Sequence, residues 1–180
     1  MKVRRVVTGH TAEGKATVAS DTMVDPITTA LVPGMQFHRL WGGDAAPVFP
    51  DDGSPRPNEQ YFPPLGGFRF AIFTVPPGSR AAVTAPVGDV GVAVAQFEAD
   101  LPGLLGALES METGMHTSDT IDFEYVVSGE VDLELDDGET VRLRAGDTLV
   151  QNGTRHAWHN RGHEPCVIVV CLVGAERRKG

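Results

Sequence analysis

The stretch that decides the fold is residues 114–139, GMHTSDTIDFEYVVSGEVDLELDDGE. Its second half alternates apolar and polar side chains with period two, Val131, Leu133 and Leu135 against Asp132 and Glu134, which is the pattern of a half-buried strand. The DDG that follows supplies a hairpin turn, in which Gly138 is free to take a positive φ, and TVRLR alternates back along a second strand. Two more turns, AGD at 145–147 and NGT at 152–154, cut the following sequence into TLVQ, HAWHN and CVIVVCLV. Short strands at such regular spacing predict an all-β sandwich or small barrel.

Upstream the pattern is less regular. RRVV and ATVAS flank AEGK as an N-terminal hairpin, and GGFRFAIFTVPPG is a strand ended by Pro76 and Pro77. Residues 45–64 are Pro-rich without periodicity and are expected to form an ordered loop or lid. One short helix is expected in FEADLPGLLGALESMETG. Asp100 would cap it, Pro102 would sit in its first turn, and Leu101, Leu104, Leu105 and Leu108 would share a face.

A chain of 180 residues with 41% hydrophobic and 22% charged residues has the length and composition of one globular unit. The 21 Gly and 13 Pro favour turns over long helices. A net charge of −9 argues against nucleic acid and anionic membrane surfaces, both of which need a basic face. The basic start is not followed by an apolar run, so no secretory leader is expected there, and no run of about 20 apolar residues is present. The two cysteines, Cys166 and Cys171, are five apart in one strand and so face opposite ways. They are expected to be reduced thiols of a cytoplasmic protein.

The motifs resemble the cupin superfamily, in particular small single-domain cupins. The first motif of that family reads here as His116, Ser118, Asp122 and Gly129, and the second as Gly146-Asp147, Gly153, His156 and Asn160. The two motifs span residues 114–160, and the strand pattern carries the resemblance from about Phe68 to Val173. The resemblance implies a cupin-type β-barrel, a double-stranded β-helix or jelly roll, over residues 66–175. Residues 1–65 would then be an N-terminal extension packed on the barrel, and a homodimer is implied by the same analogy.

Carried over by position, the resemblance implies a divalent metal, Fe, Mn, Zn or Ni, held by His116, Asp122 and His156. Asp122 stands where Glu is usual, and Ser118 stands where the family has a second histidine. Two imidazoles and one carboxylate are the ingredients of a facial triad with open positions. By strand parity Glu124 faces the same way as Asp122, which makes it a candidate catalytic residue for proton transfer. Ser118 is expected to line the pocket, and Trp158, sharing the parity of His156, either to stack on a planar substrate or to fill the core. His159 is expected to face out, His10, His38 and His163 to lie at the surface, and Arg155 to be solvated, with a carboxylate at the barrel mouth as the alternative partner.

The reaction implied is metal-dependent chemistry on a small organic molecule, of decarboxylase, isomerase, cyclase or dioxygenase type. The alternative is a non-catalytic small-molecule-binding cupin whose metal site is degraded or absent.

Overall fold

The computed structural model describes residues 1–80 and 88–178. The chain opens with an antiparallel hairpin of β1 (Val3–His10) and β2 (Ala16–Val24), at the place expected from RRVV and ATVAS. A five-stranded antiparallel sheet follows the order β3 (Gln36–Gly43), β4 (Phe68–Val75), β11 (Cys166–Gly174), β6 (Thr120–Ser128), β9 (Thr148–Gln151). A four-stranded sheet follows the order β5 (Ser79–Arg80), β10 (Ala157–Asn160), β7 (Glu130–Glu134), β8 (Thr140–Arg144). The β7–β8 hairpin turns on DDG, with Asp137 and Gly138 both at positive φ.

Alternation sets what each strand turns inward. On β6 the buried residues are Thr120, Asp122, Glu124 and Val126, while Phe123, Tyr125 and Val127 are exposed on the opposite face. On β11, Cys166, Ile168, Val170 and Leu172 are buried and Cys171 points the other way. The two sheets close on each other around Phe73 of β4 and Trp158 of β10, whose rings lie 5.8 Å apart. Gly129, between β6 and β7, has φ +76°, and a Cβ there would stand 2.5 Å from the Pro165 carbonyl oxygen. Only glycine passes through that turn.

The expected helix lies further upstream than its sequence suggested. α1 runs Val90–Asp100 and is capped by Asp89, whose carboxylate accepts from the Gly91 and Val92 amides. Asp100 is its last residue and not its cap. Pro102 follows the end of the helix, where its missing N–H no longer matters. A single further turn, α2 (Leu104–Ala107), follows Gly103, and Phe97 and Leu101 are the helical segment's deepest contributions to the core.

β3 lies within the first 65 residues and pairs with β4 along most of its length. The Pro-rich loop joining these two strands is tied down by the side chains of Arg39 and Arg69, which donate to its carbonyls at residues 58–60. The Tyr61 amide donates to the Pro102 carbonyl. The loop therefore carries Tyr61 and Phe62 against the sheet interior.

Candidate metal and substrate site

Between the sheets lies a cavity of about 90 Å³, room for several waters or a small organic group. Most of its wall is apolar, including Phe37, Phe73, Phe97 and Trp158. Two imidazoles and two carboxyl groups interrupt it: His116, His156, Asp122 and Glu124.

The histidines are placed by backbone. His116 and His156 form an isolated antiparallel bridge, exchanging N–H···O bonds of 2.9 and 3.0 Å, which sets their rings 4.1 Å apart between centroids. The Nδ1 of His116 donates to the Gly114 carbonyl at 3.0 Å, and that of His156 to the Thr154 carbonyl at 2.9 Å. The carbonyl acceptor sets the His116 tautomer, with its Nε2 lone pair free; at His156 the Thr154 carbonyl competes for Nδ1 with the Gln151 amide nitrogen, 3.2 Å away. Such outer hydrogen bonds also orient histidines that ligate metals.

The carboxylates are placed by strand parity. Asp122 and Glu124 point inward from β6, and Asp122 Oδ1 and Glu124 Oε2 are buried without a hydrogen-bond partner among the described residues. Burial pushes the Asp122 carboxyl up to about 6, held back by the Thr120 hydroxyl. Burial and then the charge of Asp122 push Glu124 up to about 8. Burial, and then His116, pull His156 down to about 3, and burial lowers His116 as well. Every one of these shifts disfavours charge, which is what a low-dielectric cavity does to groups lacking a counter-ion.

The donor chemistry fits a divalent cation: two neutral imidazoles with free Nε2 atoms and two orphaned carboxylate oxygens share one cavity. Among the described residues, however, no three His, Cys, Asp or Glu side chains are drawn together into a ligand cage.

The other expected site residues are distributed as follows. Trp158 is buried, lines the cavity and stands edge-on to His156, with centroids 5.9 Å apart. Ser118 is not among the lining residues. Its hydroxyl is paired with Thr120 Oγ1 at 2.7 Å and its carbonyl accepts from Arg177, because the segment between the His116 bridge and β6 does not keep strand alternation.

His159 does face away from Trp158 but is buried, bonded through Nε2 to Glu134 at 2.5 Å. His38, expected at the surface, is fully buried in β3 with Nε2 on the Met1 carbonyl at 2.7 Å. Arg155, expected to be solvated, bridges Glu109 and Asp136 at 2.5 and 3.0 Å. Sequence reading missed Tyr61 and Phe62, which line the cavity from the Pro-rich loop. The adjacent aromatics of YFPP, in an otherwise polar and Pro-rich stretch, are the signal that could have found them.

Residues 108–172 match the family model described as "Cupin domain". This segment is a cupin domain. The chain is 50% identical over 52 residues to phomopsin biosynthesis cluster protein D of Diaporthe leptostromiformis, covering 29% of this chain and 28% of that protein. It is 44% identical over 46 residues to the cupin-domain-containing oxidoreductase virC of Hypocrea virens, covering 26% of this chain and 24% of that one. The chain thus matches about a quarter of the length of these curated relatives. Among solved structures, the Schizosaccharomyces pombe Cnp3 cupin domain aligns with a TM-score of 0.48 at 10% identity, over 95% of this chain and 87% of that one. A predicted oxalate decarboxylase from Thermotoga maritima aligns with a TM-score of 0.45 at 15% identity, over 84% and 93%.

Proposed function

We propose that this cupin is an enzyme acting on a small organic molecule, with a divalent metal held by His116, His156 and Asp122. One observation carries this reading: two paired imidazoles with free Nε2 atoms share an apolar cavity with two buried, orphaned carboxylate oxygens. The relatives named as biosynthesis-cluster proteins and as an oxidoreductase support a small organic substrate.

When bound, the metal supplies Lewis acidity or, as iron, redox chemistry. The remaining functions belong to the chain. Glu124, held near neutrality by burial and by Asp122, is positioned to hold and move a proton at Oε2. Trp158, Phe37 and Phe62 exclude water and flank a planar ligand. The Gly114 carbonyl keeps His116 in the tautomer with Nε2 free, and the Thr154 carbonyl and Gln151 amide hold the Nδ1 side of His156.

The test is metal content after reconstitution with Fe(II), Mn(II), Zn(II) or Ni(II). One ion per chain in the wild type and none in a folded His156→Ala supports the reading, and a wild type that takes up no ion ends it. Glu124→Gln is expected to keep the ion and lose turnover of any substrate found.

A second reading, a metal-free barrel that only binds a small molecule, draws on the same electrostatics. Neutral histidines and a protonated Glu124 leave a cavity with little net charge. The wild type without an ion, yet stabilised by an aromatic ligand, would decide for it.

A homodimer belongs to the proposal on the evidence of surface chemistry. Phe70, Phe123, Tyr125, Val127 and Val150 expose an apolar patch on the outer face of the five-stranded sheet, where a second copy would cover it. Sedimentation of the wild type against Phe123→Glu/Tyr125→Glu checks this, with a wild-type monomer as the refuting result. Cytoplasmic residence is proposed on the free thiols of Cys166 and Cys171. Among the described residues no helix is long and apolar enough to cross a membrane.

A further inference from the structure

A second cavity, of about 180 Å³, lies behind Tyr61 and Leu172, two residues that also line the first. Arg5, Arg39, Arg56 and Arg69 line it, with no lysine. Arg69 is paired with Asp44 at 2.5 Å and Arg56 with Asp51. Arg5 and Arg39 have no carboxylate partner among the described residues. Four guanidiniums against two carboxylates leave two positive charges uncompensated, in a chain whose net charge is −9.

The uncompensated pair also has unused donors. Arg39 commits Nη2 to the loop, on the carbonyls of Asn58, Glu59 and Gln60, while its Nε and Nη1 make no hydrogen bond to the described residues. Burial, and then the charge of Arg69, hold the Arg39 guanidinium below its ordinary value. Arg5 donates Nη1 to the Leu40 carbonyl at 3.0 Å and lies over the Trp41 ring, 5.8 Å from its centroid. Its Nη2 reaches Thr22 Oγ1 at 3.4 Å, and its Nε is buried with no partner among the described residues. Guanidiniums half withdrawn from water and short of both counter-ions and acceptors are unfavourable unless an anion completes them.

We propose that this cavity binds the anionic end of a small organic acid, a carboxylate or a phosphate monoester, on Arg39 and Arg5. Trp41 and Phe70, which also line the cavity, give the apolar body a wall. The site needs no metal and does not depend on turnover, so it stands or falls apart from the chemistry proposed for the first cavity.

The experiment is calorimetric titration of the full chain with benzoate, phenyl phosphate and the neutral benzamide at matched ionic strength. Binding of benzoate or phenyl phosphate, with no heat from benzamide, is expected, and whichever anion binds tighter identifies the headgroup. Arg39→Gln and Arg5→Gln are each expected to weaken it by about tenfold or more, the size of a lost charged hydrogen bond. Because Arg39 also anchors the loop, Arg5→Gln on the outer hairpin decides the matter if Arg39→Gln does not fold. His156→Ala is expected to bind the anion as the wild type does. No binding by either anion, equal binding of benzamide, or an unchanged Kd in folded Arg5→Gln would overturn the proposal.

Discussion

The two cavities that meet at Tyr61 and Leu172 are short of opposite things. Among the described residues the one between the sheets has acceptors without donors: Asp122 Oδ1, Glu124 Oε2 and the Nε2 lone pair of His116. The one behind it has donors without acceptors: the Nε of Arg5 and the Nε and Nη1 of Arg39. An unfilled acceptor set is completed by a cation or by protons, and an unfilled guanidinium set only by an anion, since arginine does not give up its proton. A chain of net acidic charge thus keeps its spare positive charge on β1 and β3, one wall away from its spare lone pairs.

The largest effect that would sharpen this contrast is loss of an imidazole. Replacing only an outer partner of a metal-bound histidine typically weakens affinity about 10- to 100-fold, so removing a ligand itself should exceed that. His156→Ala is expected to weaken divalent-metal binding by more than about 100-fold in a competition titration. It should leave benzoate or phenyl phosphate binding within about twofold, since His156 touches only the first cavity. Comparable loss at both sites would erase the distinction.

Next in size is a pH effect confined to the first cavity. Asp122 and Glu124 have folded pKa values raised to about 6 and about 8, so they hold protons the unfolded chain has already released. Their contribution to stability is fully present below the ordinary carboxylate range and is lost as pH rises through 6 and then 8. His156, lowered to about 3, contributes in the other direction: its stability is present above the ordinary imidazole value and is lost as pH falls toward 3. The two opposing contributions overlap below about pH 6.5, whereas above it Glu124 is the main group still titrating. Protein stripped with chelator is expected to lose about 2 kcal/mol between pH 6.5 and 8 in urea unfolding. Glu124→Gln should flatten that slope, and so should saturating divalent metal. A chelated wild type equally stable at both pH values would show that Glu124 is ionised without a metal.

Strand alternation made the first cavity legible and the second illegible. Parity along TIDFEYV and HAWHN put Asp122, Glu124, His156 and Trp158 inward, and DDG fixed the hairpin that brings β7 under β10. Where alternation failed, so did the reading. Ser118 precedes β6 and turns its hydroxyl to Thr120. The helix begins in VGVAVAQF, whose valines and glycine are poor helix formers, so the leucines beyond Pro102 drew the expectation downstream. The arginine cavity draws on positions 5, 39, 56 and 69, spread over a hairpin, two strands and a proline-rich loop. No period or motif links such residues before the chain is folded.

The smallest expected effect bears on whether the cavities are two sites or one. Tyr61 belongs to both walls, and its hydroxyl lies in the field of Asp122 and Glu124 on one side and of Arg39 on the other. Burial and the two carboxylates raise its pKa, while Arg39 opposes them more weakly. The hydroxyl makes no hydrogen bond to the described residues, so Tyr61→Phe removes a polar atom and leaves the ring and the wall in place. Metal affinity and organic-anion affinity should therefore each change by less than about threefold, below the size of one neutral hydrogen bond. Tyr61→Ala removes the wall and should disturb both. If Tyr61→Phe alone shifted both affinities tenfold, the hydroxyl would be transmitting charge between the cavities. The anion behind β3 would then be one end of whatever occupies the space between the sheets.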